Sequence, residues 1–341
     1  MKSYKFSVLL PTYNGAEIVR KAIDSVLNQD HQNFEIIVSD DNSRDDTVRI
    51  VETYKDKRIK IYTNKKNLGV CGNLNQCLKY ARGEVIYPLG QDDFLSKDAL
   101  SSANRAFNLS PEIGAVTRPY RWYDPKLNTT IRRRNPLNSE KDEIVHITDS
   151  LDRVLSVFKN LDSLTALAYK RKFMKRPFHK DIFPTIADPF AAIFKKHPVV
   201  FLHNYVSSVT QERSQTWIVS SIYNKSPVLS WAQMFDRIFP EKRFEKLRDY
   251  CKRNFVAANY VGLAQIKNYS SHPYWFTLRE IYYLIKFNPR NLLKPVFWLF
   301  AIGAIITPQF ILIPIAEFYK RTIGKALYKN VEFDTKVKIK K

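Results

Sequence analysis

Asp92 and Asp93 stand side by side in the string PLGQDDFL, directly after an apolar run, and Asp40-Asp41 repeats the arrangement after an earlier one. Adjacent carboxylates at the end of a buried strand repel each other unless a cation or hydrogen bonds compensate. Hard divalent ions take oxygen ligands, and Mg2+ in particular is commonly held by one or two carboxylates together with substrate phosphates. A cation so placed can stabilise the charge that develops on a departing diphosphate. The plainer alternative for Asp92-Asp93 is a cap for a helix starting near Ser96 or Lys97, with one solvated neighbour. Asp40-Asp41-Asn42-Ser43 can likewise be a loop of turn formers, or it can offer a carboxylate to a base-edge N–H such as that of uracil. Tyr13 follows the first apolar run and could stack on that ring, a contact worth ~1–3 kcal/mol. Its ordinary role would be a partly buried tyrosine at a strand end.

The apolar runs before these groups are strands. Residues 5–10, 34–39, 59–63 and 84–89 are short and apolar, the first ended by Pro-Thr-Tyr-Asn-Gly. Helical periodicity separates them over Ala16–Asn28, Thr47–Tyr54 and Val70–Ala81. Strands apolar on both faces, alternating with helices, specify an α/β domain with a doubly wound parallel sheet. Ligands of such sheets bind beyond the carboxyl ends of the strands, where Tyr13, Asp40-Asp41 and Asp92-Asp93 all fall. From about residue 110 the pattern loosens. Helices are expected at 150–160 and 188–196, and strand material at 198–210.

Three strings, FSVLLPTYNG, SVLNQDHQNFEIIVSDDNSRDDT and NLGVCGNLNQCLKYARGEVIYPLGQDD, resemble the N-terminal half of the family 2 inverting glycosyltransferases with the GT-A (Rossmann-like) fold. The resemblance is strong over residues 5–110 and weaker to about 217. It implies that Pro11 and Tyr13 line a nucleotide-base pocket and that Asp41 binds the base. Asp92 would contact the donor ribose or sugar, and Asp93 would ligate Mn2+ or Mg2+ on the diphosphate. Asn73 falls where the family has an Arg-Asn pair, with Gly72 in place of the arginine. The family's general base corresponds to Asp188 in PTIADPFAAIF, where Ala187 replaces the usual Glu. Asp188 followed by Pro189 is also an ordinary helix start. The stretch QERSQTW (211–217) lacks the Gln-x-x-Arg-Trp motif of processive synthases and has no histidine to add to a metal site, so one sugar per encounter is expected.

Composition bounds the partners. The chain of 341 residues carries a formal net charge of +22, and from Ser221 onward 21 Lys and Arg stand against 8 Asp and Glu. Such an excess calls for a polyanion. Between Lys294 and Glu317 lie 22 uncharged residues, about 33 Å as one helix and enough to cross a bilayer core. Pro308 and Pro314 interrupt the run, and basic residues flank both ends: Lys286, Arg290 and Lys294, then Lys320, Arg321, Lys325 and Lys329. Positive charge marks the cytoplasmic side. The expectation is therefore a re-entrant or interfacial hairpin at about 295–316 on the cytoplasmic face of the cell membrane, with Tyr274–Phe287 at headgroup level and a single span as the alternative. Nothing resembles a nucleic-acid-binding module. The apolar run of MKSYKFSVLL ends too early for a secretory signal. Cys71, Cys77 and Cys251 have no metal-ligand spacing and read as reduced, buried thiols.

The expected organisation is a GT-A domain over 1–218 and a basic, helical, membrane-associating region over 219–341. The expected partners are a nucleotide-sugar donor, most simply a UDP-sugar, a lipid-linked saccharide acceptor and an anionic membrane surface, with no nucleic acid. A nucleotide-binding subunit without turnover, suggested by Gly72 and Ala187, and a basic membrane-surface adaptor are the alternatives.

Overall fold

The computed structural model describes residues 1–124, 129–210 and 220–319. The QERSQTW stretch, the expected 218/219 boundary and the second basic flank from Lys320 onward lie outside the described residues. The chain divides into two compact units close to residue 212.

In the first unit β1 (Phe6–Thr12), β2 (Phe34–Asp40), β3 (Ile59–Thr63) and β4 (Val85–Pro88) run parallel in the order β3-β2-β1-β4. All seven residues of β2 and six of seven in β1 are buried, as expected for strands covered on both faces. On one face lies α1 (Val19–Leu27), whose Val19, Ala22, Ile23 and Val26 repeat at helical spacing, with α4 (Ala99–Asn108) beside it. On the other face α3 (Gly69–Tyr80) buries Leu74 and Cys77. α2 (Thr47–Glu52) links β2 to β3.

Past β4 the sheet continues through β10 (Ala168–Lys170), β6 (Ala115–Thr117), β11 (Val199–Phe201) and β9 (Glu143–Val145). Here β10 is antiparallel to both β4 and β6, so the sheet is mixed. β5 (Phe94–Leu95), β12 (Ser207–Thr210), β7 (Arg121–Asp124) and β8 (Thr129–Arg133) form a second sheet. α5 (Leu151–Lys159) and α6 (Ala187–Phe194) complete the unit.

Two boundaries differ from the sequence reading. The first helix begins at Val19 and not Ala16, because the Gly15 carbonyl accepts from both Ile18 N–H and Val19 N–H and closes a turn ahead of it. The expected strand 198–210 is two strands on different sheets: β11 ends where Leu202 N–H reaches Thr117 O, and β12 pairs with β5 and β7. Cys71 is half-buried, with its sulfur 3.1 Å from Thr185 Oγ1, while Cys77 and Cys251 are buried.

The second unit is helical: α7 (Pro227–Ile238), α8 (Glu245–Asn254), α9 (Val261–Tyr269), α10 (Pro273–Phe287), α11 (Pro295–Ile306) and α12 (Gln309–Tyr319). Ser226 caps α7 by accepting from Leu229 N–H, with Pro227 at the first helical position. Buried Asn291 fixes the link between α10 and α11, donating to Ala257 O and Leu284 O and accepting from Tyr260 Oη. The apolar run is two helices and no single crossing segment, since Thr307, held before Pro308, leaves helical geometry at ψ 123°. Pro314 does not break α12 as expected from sequence; the helix continues through it. No described helix is long and apolar enough to cross a membrane.

Candidate functional site

Register builds the first half of the site. Thr12, Asp40 and Thr63 lie opposite one another across β1, β2 and β3, so Tyr13, Asp41 and Asn64 leave the sheet side by side. Asp41 N–H donates to Thr12 O and Asn64 N–H to Asp40 O, each at 2.8 Å, which carries the ladder past the strand ends. Asn14 and Asn42 then turn the chain with φ of 45° and 63°, a region asparagine tolerates better than most residues. The two aspartates divide their roles. Asp40 is fully buried and spends its oxygens on Ser43 N–H, Ser43 Oγ and Thr12 Oγ1. Asp41 accepts from Asn64 Nδ2 (3.0 Å) and Leu68 N–H (2.8 Å) with Oδ1 alone. No donor among the described residues reaches its Oδ2, which leaves that oxygen for a ligand.

Asn73 sits beneath this pair. Its amide donates to Thr12 O and Ser39 O and its oxygen accepts from Asn64 Nδ2, so it braces Asp41 through Asn64. Tyr13, half-buried, is held by its backbone: Gln91 Oε1 accepts from Tyr13 N–H at 2.9 Å and Gln91 Nε2 donates to Tyr13 O at 3.0 Å. A Cβ at Gly15 would come within 2.4 Å of Gln91 Oε1, so this clamp needs glycine there. Pro11 is partly exposed on β1.

Gln91 leads directly into Asp92 and Asp93 at the carboxyl end of β4. Asp93 is buried; Thr210 N–H donates to Oδ1 at 2.9 Å and the Thr165 hydroxyl donates to Oδ2. Burial pushes the Asp93 carboxyl up to about 6 despite these donors and the nearby Arg118 and Lys21 charges. Asp92 is raised well above the usual carboxylate range, first by burial and then by the Asp93 charge. Two neighbouring acids that both resist ionisation are a site short of positive charge, and they fit a divalent cation that brings further ligands from a bound diphosphate. Among the described residues no three His, Cys, Asp or Glu side chains converge into a protein-only metal cage.

Thr165 is itself positioned. Its hydroxyl accepts from Gly90 N–H at 3.1 Å, and Ala166 beside it is held at φ 66° with its N–H on Pro88 O. The fully buried Arg118 gathers the carbonyls of Asn160, Ser163 and Thr165. The loop 160–166 is thus folded around a guanidinium so that one hydroxyl meets Asp93. Gly90 lies so close that a Cβ there would sit 2.9 Å from Asp93 Oδ2 and 3.0 Å from Asp92 Oδ1. Since Asp93 is pinned on both oxygens, Gly90→Ala must displace the acid pair. The expected result is an approximately tenfold loss of Mn2+ affinity, the usual size of damage to groups that orient metal ligands, measured by calorimetric titration of Mn2+ in the presence of UDP.

Asp188 lies on a third element, buried in the first turn of α6 with its carboxylate 3.8 Å from Arg176. The segment before it is tied to α3 by paired hydrogen bonds between Asn75 and Phe178, and to β10 by Tyr169 Oη donating to Ile186 O. The structure therefore joins Asp41 and Asn73 through Asn64, sets Tyr13 beside them at the next strand end, and ties Tyr13 through Gln91 to the start of the Asp92-Asp93 pair. The sequence reading missed Asn64, Gln91, Arg118, Thr165 and Thr210. Asn64 could have been found, because it follows β3 as Asp41 follows β2.

A profile described as Glycosyl transferase family 2 matches residues 7–183. The chain is 44% identical over 107 residues to the GalNAc(5)-diNAcBac-PP-undecaprenol beta-1,3-glucosyltransferase of Campylobacter jejuni, covering 30% of this chain and 35% of that one. It is 41% identical over 93 residues to the UDP-Glc:alpha-D-GlcNAc-diphosphoundecaprenol beta-1,3-glucosyltransferase WfgD of Escherichia coli, covering 27% and 37%. These alignments span about a third of each relative. Among solved structures, residues 1–349 of Staphylococcus aureus TarS in complex with UDP-GlcNAc superpose with a TM-score of 0.63 at 18% identity, over 92% of each chain. That likeness carries the GT-A fold.

Proposed function

Given that the chain belongs to glycosyl transferase family 2, we propose that it transfers a sugar, with inversion, from a UDP-sugar to a hydroxyl of a lipid-linked saccharide. The observation that carries the reading is the Asp41 carboxylate, one oxygen fixed by Asn64 and Leu68 and the other open, beside Tyr13 at the carboxyl edge of the sheet. Uracil N3–H is a donor that this open oxygen can accept, while Tyr13 and Pro11 offer a surface to the ring. Asp92 contacts the ribose or sugar. The acid pair fits Mn2+ or Mg2+, held by Asp93 with the donor diphosphate; such an ion would offset the charge of the leaving nucleotide. Asp93 is kept in place for this by Thr165 and Thr210, and Asn73 supports the base pocket from below. Asp188 takes the proton from the acceptor hydroxyl as that oxygen attacks the anomeric carbon, and a single displacement inverts the centre.

The acceptor class rests on the relatives, whose names specify undecaprenyl diphosphate-linked saccharides. One sugar is added per encounter, since residues 211–217 lack the processive motif. In this reading the catalytic part extends over 1–218 and the basic helical region 219–341 serves a peripheral position on the cytoplasmic face of the membrane.

The test is calorimetric titration with UDP, with CDP and GDP as controls, in Mn2+ and in chelator. Saturable, metal-dependent UDP binding is expected. CDP, whose N3 carries no proton for Asp41, is expected to bind at least tenfold more weakly, a loss of about 1.4 kcal/mol or more. Failure of folded protein to bind any nucleotide overturns the proposal.

A further inference from the structure

Among the described residues nineteen large apolar side chains are exposed, and fifteen of them lie between Tyr274 and Phe318. They are arranged in rows. On α10, Trp275, Leu278 and Tyr282 face outward while Thr277, Glu280 and Leu284 face in. On α11, Leu299, Ile302 and Ile306 face outward while Phe297, Ala301 and Ala304 face in. Leu293, 83% exposed, continues the surface through the link between these two helices, which pack against each other. α11 carries no charge on either side, so its outer row is uncovered core-type surface. An apolar patch spread over adjoining helices marks an interaction site.

Charge selects the partner. Between Tyr250 and Ala316 seven Lys and Arg stand against a single acid, Glu280, and Glu280 is buried. Lys286, Arg290 and Lys294 are exposed beside the apolar rows. Two copies of this face would bring like charges together, which opposes self-association. Anionic headgroups complement it. α11 has 12 residues, about 18 Å of helix against a hydrocarbon core of about 30 Å, so it fits the plane of the interface and cannot cross. Tryptophan and tyrosine rings are favoured at the headgroup boundary.

We propose that α10 and α11 form a monotopic docking face for an anionic lipid bilayer, inserted by its apolar rows and held by its rim of lysine and arginine. This deepens the peripheral membrane position proposed above and rests on that reading; the second unit alone carries it, so its failure is distinguishable from failure of the nucleotide site. The test is co-sedimentation of the full chain with vesicles of phosphatidylcholine, with and without phosphatidylglycerol. Strong binding to the anionic vesicles is expected. Lys286→Gln/Arg290→Gln/Lys294→Gln should weaken it about a hundredfold and leave weak binding to neutral vesicles unchanged. Brominated lipid should quench tryptophan fluorescence, and Trp275→Phe should remove part of that quenching. Circular dichroism and thermal melting of each variant separate loss of docking from loss of fold. Wild-type protein that ignores both vesicles, or that forms dimers masking the quenching, overturns the proposal.

Discussion

Asp93→Asn is expected to slow sugar transfer by about a thousandfold and to make the remaining UDP binding indifferent to Mn2+ and chelator. The size follows from what the residue faces: charge that develops on a leaving group in a water-excluded site, where removal of one stabilising partner typically costs 10²–10³-fold. The substitution keeps the shape of the side chain, and its oxygen can still accept from Thr165 or Thr210 N–H, so the loop is retained. A companion measurement isolates the charge. The Asp93 carboxyl is raised to about 6 in the folded chain against ~3.9 when unfolded, so the folded state binds its proton more tightly. In chelator this group therefore destabilises the fold above pH 6 and ceases to do so as pH falls toward 4. Denaturation midpoints of wild type minus Asp93→Asn should rise over that window. Mn2+, which needs the ionised acid, should stabilise wild type at pH 7 and leave the variant unmoved. A variant that retains full transfer with metal-dependent binding would remove Asp93 from the site.

That a group costs stability where it serves function is visible around it too. Arg118 is wholly buried, and burial lowers its guanidinium pKa. Among the described residues it makes no ion pair at hydrogen-bond distance, and its Nε has no partner. What it holds is the backbone of 160–166 in the shape that brings Thr165 to Asp93. None of this was legible in the sequence, where Arg118 belongs to an irregular stretch rich in proline and arginine. Asp92-Asp93 and Asp41 were legible because a parallel sheet buried on both sides leaves continuous apolar runs, and the polar residue that ends each run must sit on the binding edge. Past residue 110 the helices near 150–160 and 188–196 and the strand material at 198–210 were legible, but β6, β9 and β10 were not, because they are three residues each, too short to show a period, and their pairing is long-range. Asn73 was readable as part of the site, but its bonds to Thr12 O and Ser39 O place it behind the pocket, a distinction only the three-dimensional arrangement makes.

The C-terminal region shows the converse. Its apolar run was evident, and Pro308 ends α11 as expected, yet Pro314 stays inside α12. A proline removes one helical hydrogen bond and crowds the preceding turn, which a short helix with other contacts can absorb. Both prolines read as breaks in the sequence; only Pro308 follows a residue, Thr307, that is driven out of the helical region.

Asp188→Asn should separate chemistry from donor binding. The residue stands in the first turn of α6, after the segment that α3 and β10 hold in place, and not on the strand ends that carry Asp41 and Asp93, so UDP affinity and its metal dependence should stay within about twofold of wild type. Transfer to the acceptor should fall 10²–10⁴-fold, the range for loss of a positioned general base. The neighbourhood suits the role: the carboxylate is buried in the first turn of a helix, and Arg176 lies 3.8 Å away. Asparagine preserves volume and can occupy the same turn, so a fall in kcat with unchanged UDP affinity would not come from misfolding. Equal loss of UDP binding and rate would instead make Asp188 a support for α6, and Ala187 in place of the family's Glu would then be the departure that matters for turnover.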